Sequence, residues 1–207
     1  MKKLLILLLS LFFLSSPSVF ADDISDFQIE GISIGDSLLD YMTEDEILEW
    51  IETTKDHFNY LNEPNKYASV YLTIDLPIYD NLSFIVKNNS RSQYISNKNE
   101  KYKILSIRGM KNYFNDFDSC IQKRDKVAEE LSNMFPNAAK EERIISHPHD
   151  PSGNSIGDDI FFSLNSGDIA RTYCNDWEET FRIKNNYSEG LSVAIVSKVV
   201  WEWFSDY

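Results

Sequence analysis

The sequence predicts an α+β fold: an antiparallel sheet of about six to eight short strands with two main helices packed on one face. Three observations point there. Apolar residues recur at helical period in two stretches and at period 2 in several short ones. The strand-like segments are too closely connected for parallel crossovers, which need a dozen or more residues. Helix followed by three strands occurs twice, over 43–109 and 119–174, so two helix-plus-three-strand halves are expected.

The first 21 residues read as a signal peptide. Lys2 and Lys3 precede an almost unbroken hydrocarbon run over 4–14. Ser15-Ser16-Pro17 breaks it, and Val19 and Ala21 stand at the two positions a signal peptidase reads. That run is shorter than the about 20 residues that cross a bilayer, and no later segment is apolar enough. Residues 22–207 are therefore expected to be one soluble, exported α+β domain, periplasmic or extracellular, with no membrane span.

Within the domain, 27–33 alternates and is expected to be extended. Asp36 or Ser37 can cap a helical turn that sends Leu38 and Leu39 into the core. Thr43 with Glu46 is a capping-box signal for a helix whose apolar side carries Ile47, Leu48, Trp50 and Ile51. The period then changes to 2. Val70, Leu72, Ile74 and Leu76 mark a strand with one buried face, stopped by Pro77. Leu82, Phe84 and Val86 mark a second, and 102–109 a third, which together make a meander. Ser119 with Gln122 can box the start of the longest helix, with Val127, Ala128, Leu131, Met134 and Phe135 as its apolar face and Pro136 at its end. Strands are expected over 143–146, 160–164, 169–174 and 191–196, with Asn165-Ser166-Gly167-Asp168 turning a hairpin. The segment 199–204 reads as strand or amphipathic helix, with helix preferred.

Charge and cysteine usage narrow the partners. The net charge is −13, and −15 once Lys2 and Lys3 leave with the leader. Such a surface repels nucleic acid and anionic headgroups, both of which need basic patches. Aromatics make up 14% of residues, enough for a packed core. The two cysteines, Cys120 and Cys174, are expected to form one disulfide in an oxidising compartment. That bond would staple the start of the long helix to the end of a strand.

Several short motifs carry possible chemistry. Ile34-Gly35-Asp36-Ser37-Leu38-Leu39-Asp40 resembles the first block of the GDSL esterases and lipases, a resemblance that implies Ser37 as nucleophile with a histidine base. That family's base comes from a D-x-x-H block, yet Thr54, Ile144 and Ser146 stand three residues before His57, His147 and His149. No glycine begins a G-x-N-D block either, so capping by Asp36 or Ser37 is the preferred reading of the motif. The stretch Ile29-Glu30-Gly31-Ile32-Ser33-Ile34-Gly35-Asp36-Ser37-Leu38-Leu39-Asp40-Tyr41 resembles the start of an uncharacterised family of small exported bacterial proteins. Asp150-Pro151-Ser152-Gly153-Asn154-Ser155 and the segment through Cys174-Asn175-Asp176-Trp177 resemble the same group. This resemblance implies export and a shared fold.

His147-Pro148-His149-Asp150 is the densest ligand-like cluster. Two histidines two apart on an extended segment point the same way, and Asp158 or Asp159 could join them at a zinc or copper ion. Asp150, Ser152, Asn154 and Asp158 have a partial calcium-loop spacing, but Ser155 stands where the loop needs glycine and Phe161 where it needs glutamate. Trp201, Trp203 and Phe204 are core or an exposed patch for a partner or glycan. Asn81, Asn88 and Asn186 head glycosylation sequons, which matter in a eukaryotic host only. With no complete catalytic set, the expected function is a non-enzymatic binding or envelope-associated domain. Its expected partner is an envelope protein or a small ligand, and it needs no cofactor. An esterase using Ser37 and a metal site at His147, His149 and Asp150 are the alternatives.

Overall fold

The computed structural model describes residues 24–57, 61, 66–72, 76–88, 97–147 and 150–206. Seven strands form one wholly antiparallel sheet: β3 (Tyr67–Leu72), β4 (Asn81–Lys87), β5 (Ile104–Asn112), β6 (Ala139–Ser146), β7 (Ile156–Ser163), β8 (Ile169–Asp176) and β9 (Gly190–Val196). Their spatial order is β3-β4-β5-β9-β8-β7-β6. A separate two-stranded hairpin, β1 (Gln28–Ile29) and β2 (Ile32–Ser33), precedes it. The described helices are α1 (Glu44–Thr54), α2 (Phe117–Met134), α3 (Glu179–Asn185) and α4 (Lys198–Ser205), with short 3-10 turns between them.

The two expected halves are present as the meanders β3-β4-β5 and β6-β7-β8. What unites them is β9, the last strand, which enters between β5 and β8 and pairs with both. Every residue of β9 is buried, as befits a run of Leu, Val, Ala and Ile with a neighbour on each side. The hairpin turn at Asn165-Ser166-Gly167-Asp168 joins β7 to β8, with Leu164 N–H donating to the Asp168 carbonyl at 3.0 Å.

Both main helices cover one face of the sheet. The α1 capping box forms: Glu46 N–H donates to the Thr43 hydroxyl and Thr43 N–H to the Glu46 carboxylate. A box of this kind is worth about 1 kcal/mol. Ile47 is fully buried, and the Thr54 hydroxyl donates to the Ser69 carbonyl at 2.7 Å, which fixes α1 to β3. Val127, Ala128 and Leu131 bury the face of α2 against β8 and β9. Each large apolar side chain there contributes about 1.5–3 kcal/mol. Cys120 in the first turn of α2 is disulfide-bonded to Cys174 on β8, with Cα atoms 6.1 Å apart.

Several expectations need correction. The start of α2 is capped by Asp116, whose carboxylate accepts from Ser119 N–H, and not by a Ser119–Gln122 box. An acceptor before the first turn reaches the free amides better than a hydroxyl already inside it. The first strand of the large sheet is β3, beginning at Tyr67 rather than Val70, and both of its faces are buried. Positions 73–75 lie outside the described residues. Strand β6 is longer than the expected 143–146, because eight register pairs with β7 extend it to Ala139. It is exposed along its whole length, and Lys140, Glu141, Glu142 and Arg143 guard this outer strand. Helix α3, with no buried residue, carried too little apolar periodicity to be read in advance. The segment 199–204 is helical, and α4 packs on the face opposite α1 and α2, so the helices are not confined to one face. The leader, 1–21, lies outside the described residues. None of the described helices is long and apolar enough to cross a membrane.

Candidate functional site

Strand alternation sends one set of residues under α1 and α2 and the other to the second face. On that second face the register aligns Tyr71 (β3), Ser83 (β4), Arg108 (β5), Ala194 (β9) and Arg171 (β8) in one row across five strands. Ser69, Ile85, Ser106 and Val196 form the next row, and Tyr173 lies opposite Ser192 in a third. Helix α4 walls one side. Its Val200 and Trp203 are buried against Tyr67, whose ring centre is 4.7 Å from that of Trp203, while Trp201 and Phe204 stay partly open. Between α4 and the strands lies an open cleft of about 150 Å³, lined by Ser69, Ser83, Ser106, Arg108, Arg171, Tyr71, Tyr173, Ile85, Val196, Trp201 and Phe204.

The floor of the cleft is polar and positively charged, in a chain that is strongly acidic overall. Arg108 donates from Nε to the Ser83 hydroxyl at 3.2 Å and from Nη1 to the Tyr173 phenol oxygen at 3.3 Å. Arg171 donates from Nη2 to Asp159 at 2.9 Å and lies over the rings of Tyr173 and Phe161, 4.2 and 4.5 Å from their centres. Its Nε is buried with no hydrogen-bond partner among the described residues. Arg143, across from Asp159 on β6, covers the Phe161 ring at 3.9 Å. Burial pushes the Tyr173 phenol upward, but the charges of Arg108 and Arg171, with hydrogen bonds from Ser192 and Arg108, outweigh it and leave the phenol more acidic than usual. A titratable group shifted by specific charge partners in a cleft is a mark of functional sites.

The residues singled out in sequence fall elsewhere. Ser37 is buried, its hydroxyl donating to the Lys101 carbonyl at 2.9 Å and accepting weakly from Leu39 N–H at 3.4 Å. It is the N-cap of a 3-10 turn, Leu38–Asp40, whose Leu38 is fully buried. His149 lies outside the described residues, and the His147 ring stacks on Trp177 with centres 3.9 Å apart. Asp158 and Asp159 turn away from that loop to opposite faces of β7, where Asp158 pairs with the buried Arg124 of α2 and Asp159 with Arg171. Among the described residues no three His, Cys, Asp or Glu side chains are grouped to hold a metal.

Asp150 is a structural hub. Its carboxylate accepts from Ser152 N–H and hydroxyl and from Ser155 N–H and hydroxyl, at 2.7–2.9 Å. The Ser155 hydroxyl in turn accepts from Glu178 N–H at the start of α3. Burial raises the Asp150 carboxyl, and the four hydrogen bonds more than reverse this, holding it well below the usual carboxylate range. Its folded-state pKa is thus depressed, so its contribution is complete above the unfolded value near pH 4 and is lost as pH falls toward the folded one. Acid titration should therefore show Asp150→Asn less stable than the parent by a constant margin above about pH 5. That margin should shrink below about pH 4, and a margin independent of pH would refute the ionised hub.

The cleft residues were not identified in sequence. Their only signal was polar alternation, Ser106 and Arg108 on one strand and Arg171 and Tyr173 on another, which reads equally as a solvent face. Comparison with protein-family models, curated proteins and solved structures finds no match for this chain.

Proposed function

We propose that this protein is an exported, non-enzymatic binding protein whose site is the cleft between α4 and the second face of the sheet. The observation that carries the reading is convergence: two arginines, a perturbed tyrosine and three serines meet two aromatic rings around one 150 Å³ space. Binding sites combine an apolar wall with a few placed polar groups in this way. Export is supported by the pattern of residues 1–21, by the Cys120–Cys174 disulfide, and by the resemblance of the 29–41 stretch to small exported bacterial proteins. Catalysis at Ser37 gains no support from a hydroxyl bonded to a backbone carbonyl.

The test is a thermal-shift screen of small organic molecules on residues 22–207, repeated on Trp201→Ala, Phe204→Ala. Both rings are only partly buried, and the melting transition of the unliganded double variant checks that it is folded. Ligands that stabilise the parent should bind the variant about tenfold or more weakly, since each ring supplies a large apolar contact. Ligands indifferent to the change would move the site away from this cleft.

A further inference from the structure

Resting on the reading of the cleft as a binding site, we infer that its ligand is a single-ring aromatic carboxylate. Three features of the cleft lead there. The first is size: a cavity of about 150 Å³ holds one benzene-sized ring, and the open mouth admits a substituent. The second is the wall. Trp201 and Phe204 of α4 offer ring faces and edges to a flat apolar body, with Ile85 and Val196 beside them.

The third is the charged end that lines the same cleft as that wall. The Trp201 ring lies 6.1 Å from Phe161, whose own ring is 4.5 Å from the Arg171 guanidinium, so cation and aromatic wall share one intervening ring. Arg171 and Trp201 both line the one cleft, so a ligand filling it meets a guanidinium and an aromatic wall. The Arg171 Nε is buried and has no hydrogen-bond partner among the described residues, a donor in need of an acceptor. A carboxylate oxygen satisfies it, and the serine hydroxyls can serve the second oxygen. Asp159, buried and 2.9 Å from Arg171, offsets one positive charge and disfavours a phosphate dianion. The net charge of −13 also repels polyanions.

The experiment is calorimetric titration of residues 22–207 with benzoate, 4-hydroxybenzoate, benzamide, hexanoate and inorganic phosphate. The aromatic acids should bind, and benzamide, the neutral counterpart of benzoate, about tenfold or more weakly. Arg171→Gln should lose about tenfold for benzoate while leaving benzamide unchanged. Arg171→Lys, which keeps the charge beside Asp159 but not the fork, serves as a second variant should the first fail to fold, and should fall between. Benzamide binding as tightly as benzoate, with sensitivity to Trp201→Ala, would overturn the carboxylate and leave the cleft a binding site. Preference for hexanoate or phosphate would likewise overturn the aromatic acid. If no member of the panel binds, the inference is lost, and the thermal-shift screen separately decides whether the cleft binds anything.

Discussion

Replacing Cys120 and Cys174 together by alanine should lower the stability of the folded state by about 4 kcal/mol. The bond closes a loop with a sequence separation of 54, and freeing it returns that much entropy to the unfolded chain. For a domain of this size the loss corresponds to a fall in Tm of roughly 8–16 °C. Alanine is the better substitute, because both sulfur positions are fully buried and a serine there would bury a hydroxyl in the apolar core. Denaturant titration of parent, double variant and thiol-reduced parent should place the last two together. A change below about 1 kcal/mol would mean that packing of α2, rather than the cross-link, holds this helix to the sheet.

An even more local change, Gly190→Ala, should cost about 3 kcal/mol or more. Gly190 opens β9 and is paired on both sides, with Asn112 of β5 and Asn175 of β8. Its φ is +133°, which L side chains rarely adopt, and an added Cβ would collide with the Lys111 carbonyl and lie 2.6 Å from Tyr113 N. Those atoms are backbone, so no side-chain rotation relieves the clash. The strand that joins the two halves must then shift where it begins. Gly153→Ala is the control, because its φ is +71° but nothing lies within 4 Å of the added atom. It should cost about 1–2 kcal/mol, the backbone term alone. Equal losses in the two variants, read by denaturant midpoints, would show that the crowding at Gly190 is inconsequential.

Much of the architecture was legible because it is written in local patterns. The Thr43–Glu46 box, the 165–168 turn and the apolar stripe of α2 each depend on residues a few positions apart, and all three are in place. The misses have the same origin. Helix α3 buries nothing, so no periodic signal marked it. Strand β6 is exposed and charged, and only its pairing with β7 makes it a strand. The candidate site was the least legible part. Arg108 and Arg171 are separated by more than sixty positions and become neighbours in a cross-strand row only because β9 inserts between β5 and β8.

By itself, then, the amino-acid sequence determined the class of fold, the pairing of the only two cysteines and the capping role of the Ser37 segment. Each of these follows from period, composition or spacing along one stretch of chain. Tertiary structure alone decided which face of each strand meets which helix, that α4 crosses to the far side, and that arginine, tyrosine and serine side chains gather beneath two aromatic rings. The physical reason is that strand order is set by long-range pairing. An alternating strand carries the same pattern whether its polar face meets water or completes a cleft.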